Sequence, residues 1–472
     1  MIHEHFSTVL AEKFGFDFSP TQQGAVEQFV SFFFRQQEEN VFLLRGYAGT
    51  GKTSLVAAMV NVLSHFNYSF VLLAPTGRAA KVFSAYSGQA AFTIHKKIYR
   101  QQTEQEGITV FGLGFNTLRN TLFFVDEASM IGMNSVDSHF GSGSLLDDLF
   151  QFVYNGRGNR LMLIGDSAQL PPIGTTLSSA LEADFLRRQY DVEVYEANLT
   201  DIMRQSETSG VVYNATRIRE MLEGGAGRKL QMKTARFPDI VRIGGGELLE
   251  ELDRCYSLYG EDETMVICRS NRQANRYNAG IRSRILYREE DITAGDKVMI
   301  VKNNYYWGAA YENVDFIANG EIATILKVVK QTELYGFHFA YARLTLYGYE
   351  TEITAWIMLD TLTSEQPALS REDSLRLYQA IEEDFQDIPS RKKRYKKIQE
   401  NEYYNAFQIK FAYAVTGHKS QGGQWDAVFI DPGWYSEESP DEEYWRWLYT
   451  VFTRTRKQLL LIHFKEEWFG EE

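Results

Sequence analysis

Short apolar runs recur along the chain, and several stop abruptly at polar residues. They include "VLLAPT" (71–76), "LFFVDEAS" (122–129), "LMLIGDSAQLPP" (161–172), "MVICRSN" (265–271), "AVFIDP" (427–432) and "LLLIHF" (459–464). Such runs, separated by helix-length stretches, predict parallel strands buried on both faces. In an open α/β sheet the ligand sits at the carboxyl ends of the strands, where these polar clusters fall. Two groups of runs, 41–170 and 265–462, predict an α/β fold with two lobes. Residues 291–404 break the pattern: "GDKVMIVKNN", "NGEIATILKVV" and "YARLTLYGYETEITAWIML" alternate like small-barrel strands with NG and YG turns. A charged helical piece, "SREDSLRLYQAIEEDFQDIPSRKKRYKKIQENEYY", follows it, and the whole reads as an insertion in the second lobe.

One run carries its own chemistry. Val41 to Leu44 read as a buried strand entering "GYAGTGKTS", and Ser54 to Val60 have helix composition. Gly46, Gly51, Lys52 and Thr53 fit G-x-x-x-x-G-K-[ST], in the strand–loop–helix setting that the motif requires. Glycines let backbone N–H groups converge on phosphate oxygens, and the helix N-terminus favours their charge. Lys52 is expected to reach the β- and γ-phosphates and Thr53 to hold Mg²⁺. A glycine-rich turn that binds nothing is the bland alternative, and the flanking strand and helix disfavour it.

Composition then narrows the class. At 472 residues the chain is too long for one core. A content of 44% hydrophobic and 24% charged residues is that of a soluble globular protein, and no apolar run approaches a membrane span. The N-terminus lacks a signal-peptide pattern, and Cys255 and Cys268 alone provide neither a disulfide framework nor a four-cysteine zinc site. A reducing cytoplasm is the expected location. The net charge of −13 weighs mildly against nucleic acid as a partner, although a basic channel inside an acidic shell stays open.

"VDEAS" places Asp126 and Glu127 just after a strand, where a carboxylate supports Mg²⁺ and a base orients water. Read alone, the pair is a solvated loop. "GDSAQLPPIG" (165–174) puts Gln169 in a loop stiffened by two prolines, suited to sensing a γ-phosphate or merely to turning the chain.

The order of the motifs changes the odds. "PTQQGAVEQF" (20–29), "GYAGTGKTS", "APTGRAAKVF" (74–83), "AFTIHKKIY" (91–99), "VDEAS", "GDSAQLPP", "LTDIMRQ" (199–205), "YAVTGHKSQGGQWD" (413–426) and "YTVFTRTR" (449–456) follow one another. This series resembles the superfamily 1B helicases of the RecD and Dda type, from about residue 18 to 463. The likeness is weak over 97–120 and 330–404.

The resemblance implies two RecA-like P-loop NTPase lobes with small inserted β-rich subdomains. Lobe one is expected over 1–200, with a pin-like insertion at about 97–120. Lobe two is expected over 201–290 and 405–472, interrupted by an SH3-like insert at 291–404. ATP and Mg²⁺ would lie between the lobes, with single-stranded DNA across both. DNA duplex junctions would be the target, 5′ to 3′ the direction, and a monomer, a helicase core alone, the working form. Gln22 would recognise adenine; Gly46, Ala48, Gly49, Thr50, Gly51, Lys52, Thr53 and Ser54 would hold the triphosphate. Asp126 would support Mg²⁺, Glu127 would activate water, and Gln169 would couple the γ-phosphate to the DNA track. Arg204 and Arg454 would act as arginine fingers, since charge on the transferring phosphoryl group needs permanently cationic donors. Pro75, Thr76, Thr93, His95, Asn271, Thr416, His418, Lys419 and Ser420 would contact the strand, chiefly at phosphates. Read alone, His95 and His418 are packed histidines, and each arginine a surface or salt-bridge residue.

Phe111 and Phe115 of "ITVFGLGF" are candidates for the end of the pin, with packing onto lobe one as the equal alternative. "RKKRYKK" (391–397) reads equally as a strand-gripping surface with Tyr395 or as a solvated helix face. Two departures from the family stand out: Thr455 and Arg456 follow Arg454, and Gly417 replaces a branched residue. A nucleotide-switch ATPase acting on a protein partner, or a motor on RNA, are the competing functions; protein partners are not specified by the sequence.

Overall fold

A computed structural model describes residues 2–35, 39–103, 109–133, 141–203, 208–224, 230–308, 311, 317–347, 351–433 and 440–470. In the first lobe the strands are β1 (Asn40–Gly46), β2 (Phe70–Ala74), β3 (Ala91–Thr93), β4 (Tyr99–Thr103), β5 (Thr109–Leu113), β6 (Leu122–Val125), β7 (Arg160–Gly165) and β8 (Glu193–Leu199). Six of them form one sheet in the order β3-β2-β6-β7-β1-β8, every pairing parallel.

The run Val41–Leu44 shows why an unbroken apolar stretch can be a strand. Phe42 and Leu44 enter one core, against the helices Ile2–Phe14, Pro20–Phe34 and Lys52–His65. Val41 and Leu43 point the other way, into the core under the helix Leu145–Tyr154. All four are 0% exposed, so both faces of the sheet are covered. Strands β4 and β5 form a separate antiparallel hairpin, with Gln101 opposite Phe111.

The second lobe contains β9 (Ile240–Ile243), β10 (Thr264–Cys268), β16 (Ala414–Thr416), β17 (Trp425–Asp431) and β18 (Thr455–Ile462), in the parallel order β16-β10-β17-β18-β9. Between β10 and β16, the strands β11 (Lys297–Ile300), β12 (Ile322–Leu334), β13 (Phe337–Leu346), β14 (Glu352–Met358) and β15 (Phe407–Phe411) close into a barrel. Strand β15 corrects the expected boundary at 405. It pairs antiparallel with β11 and parallel with β14, so the insert runs on to Phe411. "FQIKF" is buried at every position and reads like a two-face-buried sheet strand, which hid its place in the barrel.

Two capped helices, Arg371–Glu383 and Arg391–Gln399, make up the charged part of the insert. Among the described residues no helix is long and apolar enough to cross a membrane.

Candidate nucleotide and nucleic-acid site

Strand β1 delivers the chain into the phosphate loop, and the helix Lys52–His65 leaves it. Gly49 and Gly51 lie at φ 78° and 74°, in the left-handed region that a side chain disfavours. A Cβ at Gly46 would come within 3.1 Å of Thr50 Oγ1 and 3.2 Å of Leu199 Cβ, so its neighbours would have to give by a few tenths of an ångström. Lys52 Nζ donates to Gly46 O at 3.1 Å, which lays the ammonium across the cradle. Thr50 is buried with its hydroxyl on Tyr47 O, while Ala48 is half-buried and Thr53 and Ser54 are exposed on the first helical turn. A cradle of this shape fits a triphosphate. The Thr53 hydroxyl with the Asp126 carboxylate gives oxygen donors suited to Mg²⁺.

Asp126 and Glu127 follow β6. Tyr86 OH donates to Asp126 Oδ2 at 2.7 Å, and Glu127 N–H to Asp126 Oδ1 at 2.8 Å. Desolvation, and then the neighbouring Glu127 charge, raise the Asp126 pKa, with Lys52 opposing them. Glu127 adopts φ 52°, unusual for a residue with a side chain. Arg454 of the second lobe approaches it at 3.6 Å. The guanidinium is 2% exposed and is fixed from behind by Thr450 O, Gly423 O and Thr453 Oγ1. Arg456 points elsewhere: it pairs with Glu263 and, at 2.9 Å, with Asp426 on its own lobe. Geometry thus separates the two arginines that the sequence left side by side.

The loop after β7 is clasped by the second lobe. Thr450 Oγ1 accepts from Leu170 N at 2.8 Å, Gln421 Nε2 donates to Leu170 O at 2.7 Å, and Arg446 donates to Ser167 O at 2.5 Å. Gln169 is 6% exposed and its Oε1 has no hydrogen-bond partner among the described residues. An orphaned buried amide oxygen is the kind of group a ligand or water satisfies. Tyr449 OH donates to Asp166 Oδ2 at 2.7 Å and accepts from Ala48 N at 2.8 Å.

Gln22 is fully buried. Its Oε1 accepts from Ser19 N, completing a capping box, and its Nε2 donates to Thr50 O at 2.9 Å and meets Met203 Sδ at 3.4 Å. The amide that would read adenine is therefore tied to the phosphate loop in this structure. Asp201 accepts from Thr21 N and Oγ1, and Met203 N donates to Gly49 O at 3.0 Å. This brings the segment 199–203 onto the cradle, while Arg204 lies outside the described residues.

Candidate strand-contacting residues collect at the carboxyl ends of β2, β3, β10 and β16. Thr76 and Thr93 cap helices through Ala79 N and Lys96 N, each at 3.2 Å, with Pro75 half-buried before the first. Asn271 opens the helix Asn271–Arg284, and Thr416 precedes Gly417–Ser420. His95 is pushed down to about 4 by burial, so it offers hydrogen bonds and no charge at neutral pH. Burial also lowers His418, and pushes Lys419 down to about 8. The two lobes touch here: a Cβ at Gly422 would lie 2.9 Å from Ala79 Cβ, and Arg78 stacks on Trp425 at 3.8 Å. Gly417 has its reason in Trp447, whose Nε1 a Cβ there would approach to 2.3 Å.

Two assigned contacts turn inward. Ser420 is fully buried and its hydroxyl donates to Gly417 O at 2.7 Å, closing its own loop. Phe111 is 3% exposed in the first-lobe core, its ring 4.8 Å from Tyr305 of the insert; Phe115, just past the hairpin, is 86% exposed. Chain alternation near two glycines did not reveal which ring faced the core. In the helix Arg391–Gln399, Arg394 pairs with Glu382, Lys396 and Lys397 with Glu400, and Tyr395 OH accepts from Gln399. Tyr449, Thr450, Arg446 and Gln421 were missed. They lie in or beside quoted motifs, but nothing in spacing marks a helix tyrosine as a link between lobes.

A family model described as "AAA domain" matches residues 17–236, and one described as "UvrD-like helicase C-terminal domain" matches residues 411–462. An uncharacterized protein of Acanthamoeba polyphaga mimivirus is 22% identical over 509 residues, covering 90% of this chain and 96% of that protein. The ATP-dependent RecD2 DNA helicase of Deinococcus radiodurans is 28% identical over 159 residues, 33% of this chain and 19% of its own length. The ATP-dependent DNA helicase dda of Enterobacteria phage T4 is 22% identical, over 56% of this chain and 57% of its own. Among solved structures, a Bacteroides Pif1 helicase in complex with ADP-AlF3 and ssDNA overlays with a TM-score of 0.46 at 17% identity, covering 97% of this chain and 95% of that one.

Proposed function

Since the chain belongs to the superfamily 1B helicases of the RecD and Dda type, and is thus an ATP-dependent helicase, we propose that it travels 5′ to 3′ along single-stranded DNA and separates duplex at junctions. The observation that carries this reading is the approach of Arg454, from one lobe, to Glu127, from the other. Hydrolysis that needs both residues depends on lobe closure, and closure repeated along a bound strand is movement.

Lys52 and the loop N–H groups bind and orient the phosphates of the substrate ATP. Thr53 and Asp126 would hold Mg²⁺, which would supply positive charge to offset that of the phosphates. Glu127 takes the proton of the attacking water, and Arg454 stabilises charge on the transferring group. Gln22 selects the base, Gln169 passes the γ-phosphate's state to the strand-binding loops, and Arg204 is a second finger. Thr76, Thr93, His95, Asn271, Thr416, His418 and Lys419 grip phosphates without reading sequence.

ATPase rates with single-stranded DNA, single-stranded RNA and neither provide the test. Stimulation by DNA is expected. Stimulation by RNA alone would move the track to RNA, and no stimulation by either would favour a protein-directed ATPase.

A further inference from the structure

The helix Glu442–Phe452 bonds to the first lobe through Arg446, Tyr449 and Thr450. Arg446 and Thr450 reach only the loop 165–170. Of these three side chains, Tyr449 alone also reaches the phosphate loop. Its bonding has one possible polarity. A backbone N–H can only donate, so the hydroxyl oxygen accepts from Ala48 and its single proton goes to the Asp166 carboxylate. Both residues are sealed, Tyr449 at 1% and Asp166 at 2% exposure. Burial first, then the adjacent Asp166 charge, holds the phenol well above its ordinary value, so the proton stays on.

We propose that Tyr449 is a positioning residue that transmits the state of the phosphate loop to the second lobe. The inference rests on the ATP-driven reading above. One hydroxyl ties together the loop that grips the triphosphate, the loop that carries Gln169, and the helix Glu442–Phe452 that leads into Arg454. Hydrogen bonds of this kind hold over a few tenths of an ångström and weaken steeply beyond. A shift of the phosphate loop on filling or emptying therefore either carries the helix with it or breaks the bond. Arg446 and Thr450 move on the same helix, so the loop 165–170 follows. The bland alternative is that the hydroxyl only neutralises a buried carboxylate; it predicts a stability effect and no kinetic one.

Tyr449→Phe removes the oxygen and keeps the ring. We expect the KM for ATP to stay within about twofold and the maximal turnover of folded protein at saturating single-stranded DNA to fall at least ~10-fold, as when a bond to a buried charge is lost. Asp166→Asn should show the same split, and the double variant should be no worse than the poorer single, because both cut one link. Tyr449→Phe turnover within about twofold of wild type, or losses that add in the double variant, would overturn the proposal. Should Tyr449→Phe fail to fold, Asp166→Asn alone decides: turnover lost at constant KM supports the link, and unchanged turnover overturns it. Wild-type turnover that DNA does not raise counts against the DNA reading instead. The link is then judged on basal turnover, where the same loss is expected and parity overturns it.

Discussion

Arg454 of the second lobe stands 3.6 Å from Glu127 of the first, guanidinium against carboxylate. Each is held in place by something that resists drift. Arg454 donates to Thr450 O and Thr453 Oγ1 on its own turn and to Gly423 O of a neighbouring loop, and Glu127 sits at φ 52°. A left-handed backbone at a residue with a side chain costs on the order of 1–3 kcal/mol and persists where its surroundings impose it. The pairing bridges the two lobes.

Removing that guanidinium gives the first prediction. Arg454→Ala should leave ATP bound, since Lys52 and the loop are untouched, and slow hydrolysis at least ~10³-fold, the size expected of an arginine finger. Lys52→Ala should abolish turnover. Binding of a fluorescent ATP analogue and steady-state turnover, measured side by side, check both; near wild-type ATPase in Arg454→Ala would refute its role.

The hairpin supplies a second contrast. Phe111 is buried and Phe115 is exposed. Phe111→Ala should lower stability by about 3–5 kcal/mol, as for other large buried truncations. Phe115→Ala should leave the melting temperature alone and reduce unwinding, through loss of stacking worth ~1–3 kcal/mol per base. A variant Phe115→Ala that unwinds at the wild-type rate would remove that ring from the wedge.

Lys419 predicts a pH dependence. Burial holds it at about 8, below its ordinary 10.5, so it loses charge as pH rises through about 8. Its contribution to DNA binding should fade over that interval, and Lys419→Arg, charged throughout, should abolish this part of the fade. Stability runs the other way. Between about 8 and 10.5 the unfolded chain keeps a proton that the folded chain has released, so this lysine's effect favours folding as pH rises. Lys410, also at about 8 from burial and then from the Lys419 charge, should titrate alongside. Affinity titrations from pH 7 to 9 with parallel melts would separate the two trends.

The proposed base-reading role of Gln22 is tied to loop geometry. A side-chain amide paired with adenine discriminates by roughly 1–3 kcal/mol in the analogous DNA contacts. Here the amide must first release Thr50 O, 2.9 Å away. ATP should outcompete GTP, and Gln22→Ala should lose both that preference and some stability, since Ser19 N and Thr50 O lose their partner. Equal use of ATP and GTP by wild type would remove the glutamine's proposed task.

Much of this protein is written locally. "LLRGYAGTGKTSL" determines a strand, a loop and a helix because glycine conformation, apolar burial and helix initiation act over neighbouring residues. The two lobes follow from unbroken apolar runs, since a strand covered on both faces cannot alternate. Arg454 and Glu127 were each legible in a motif, but not their approach, since they are far apart in sequence and are brought together by how the two lobes dock. Tertiary structure alone also assigned Phe411 to the barrel, turned Phe111 and Ser420 inward, directed Arg456 to Glu263, and placed one tyrosine hydroxyl between two loops. Each depends on which distant side chain occupies the space opposite. That is a property of packing, which neither periodicity nor motif spacing encodes.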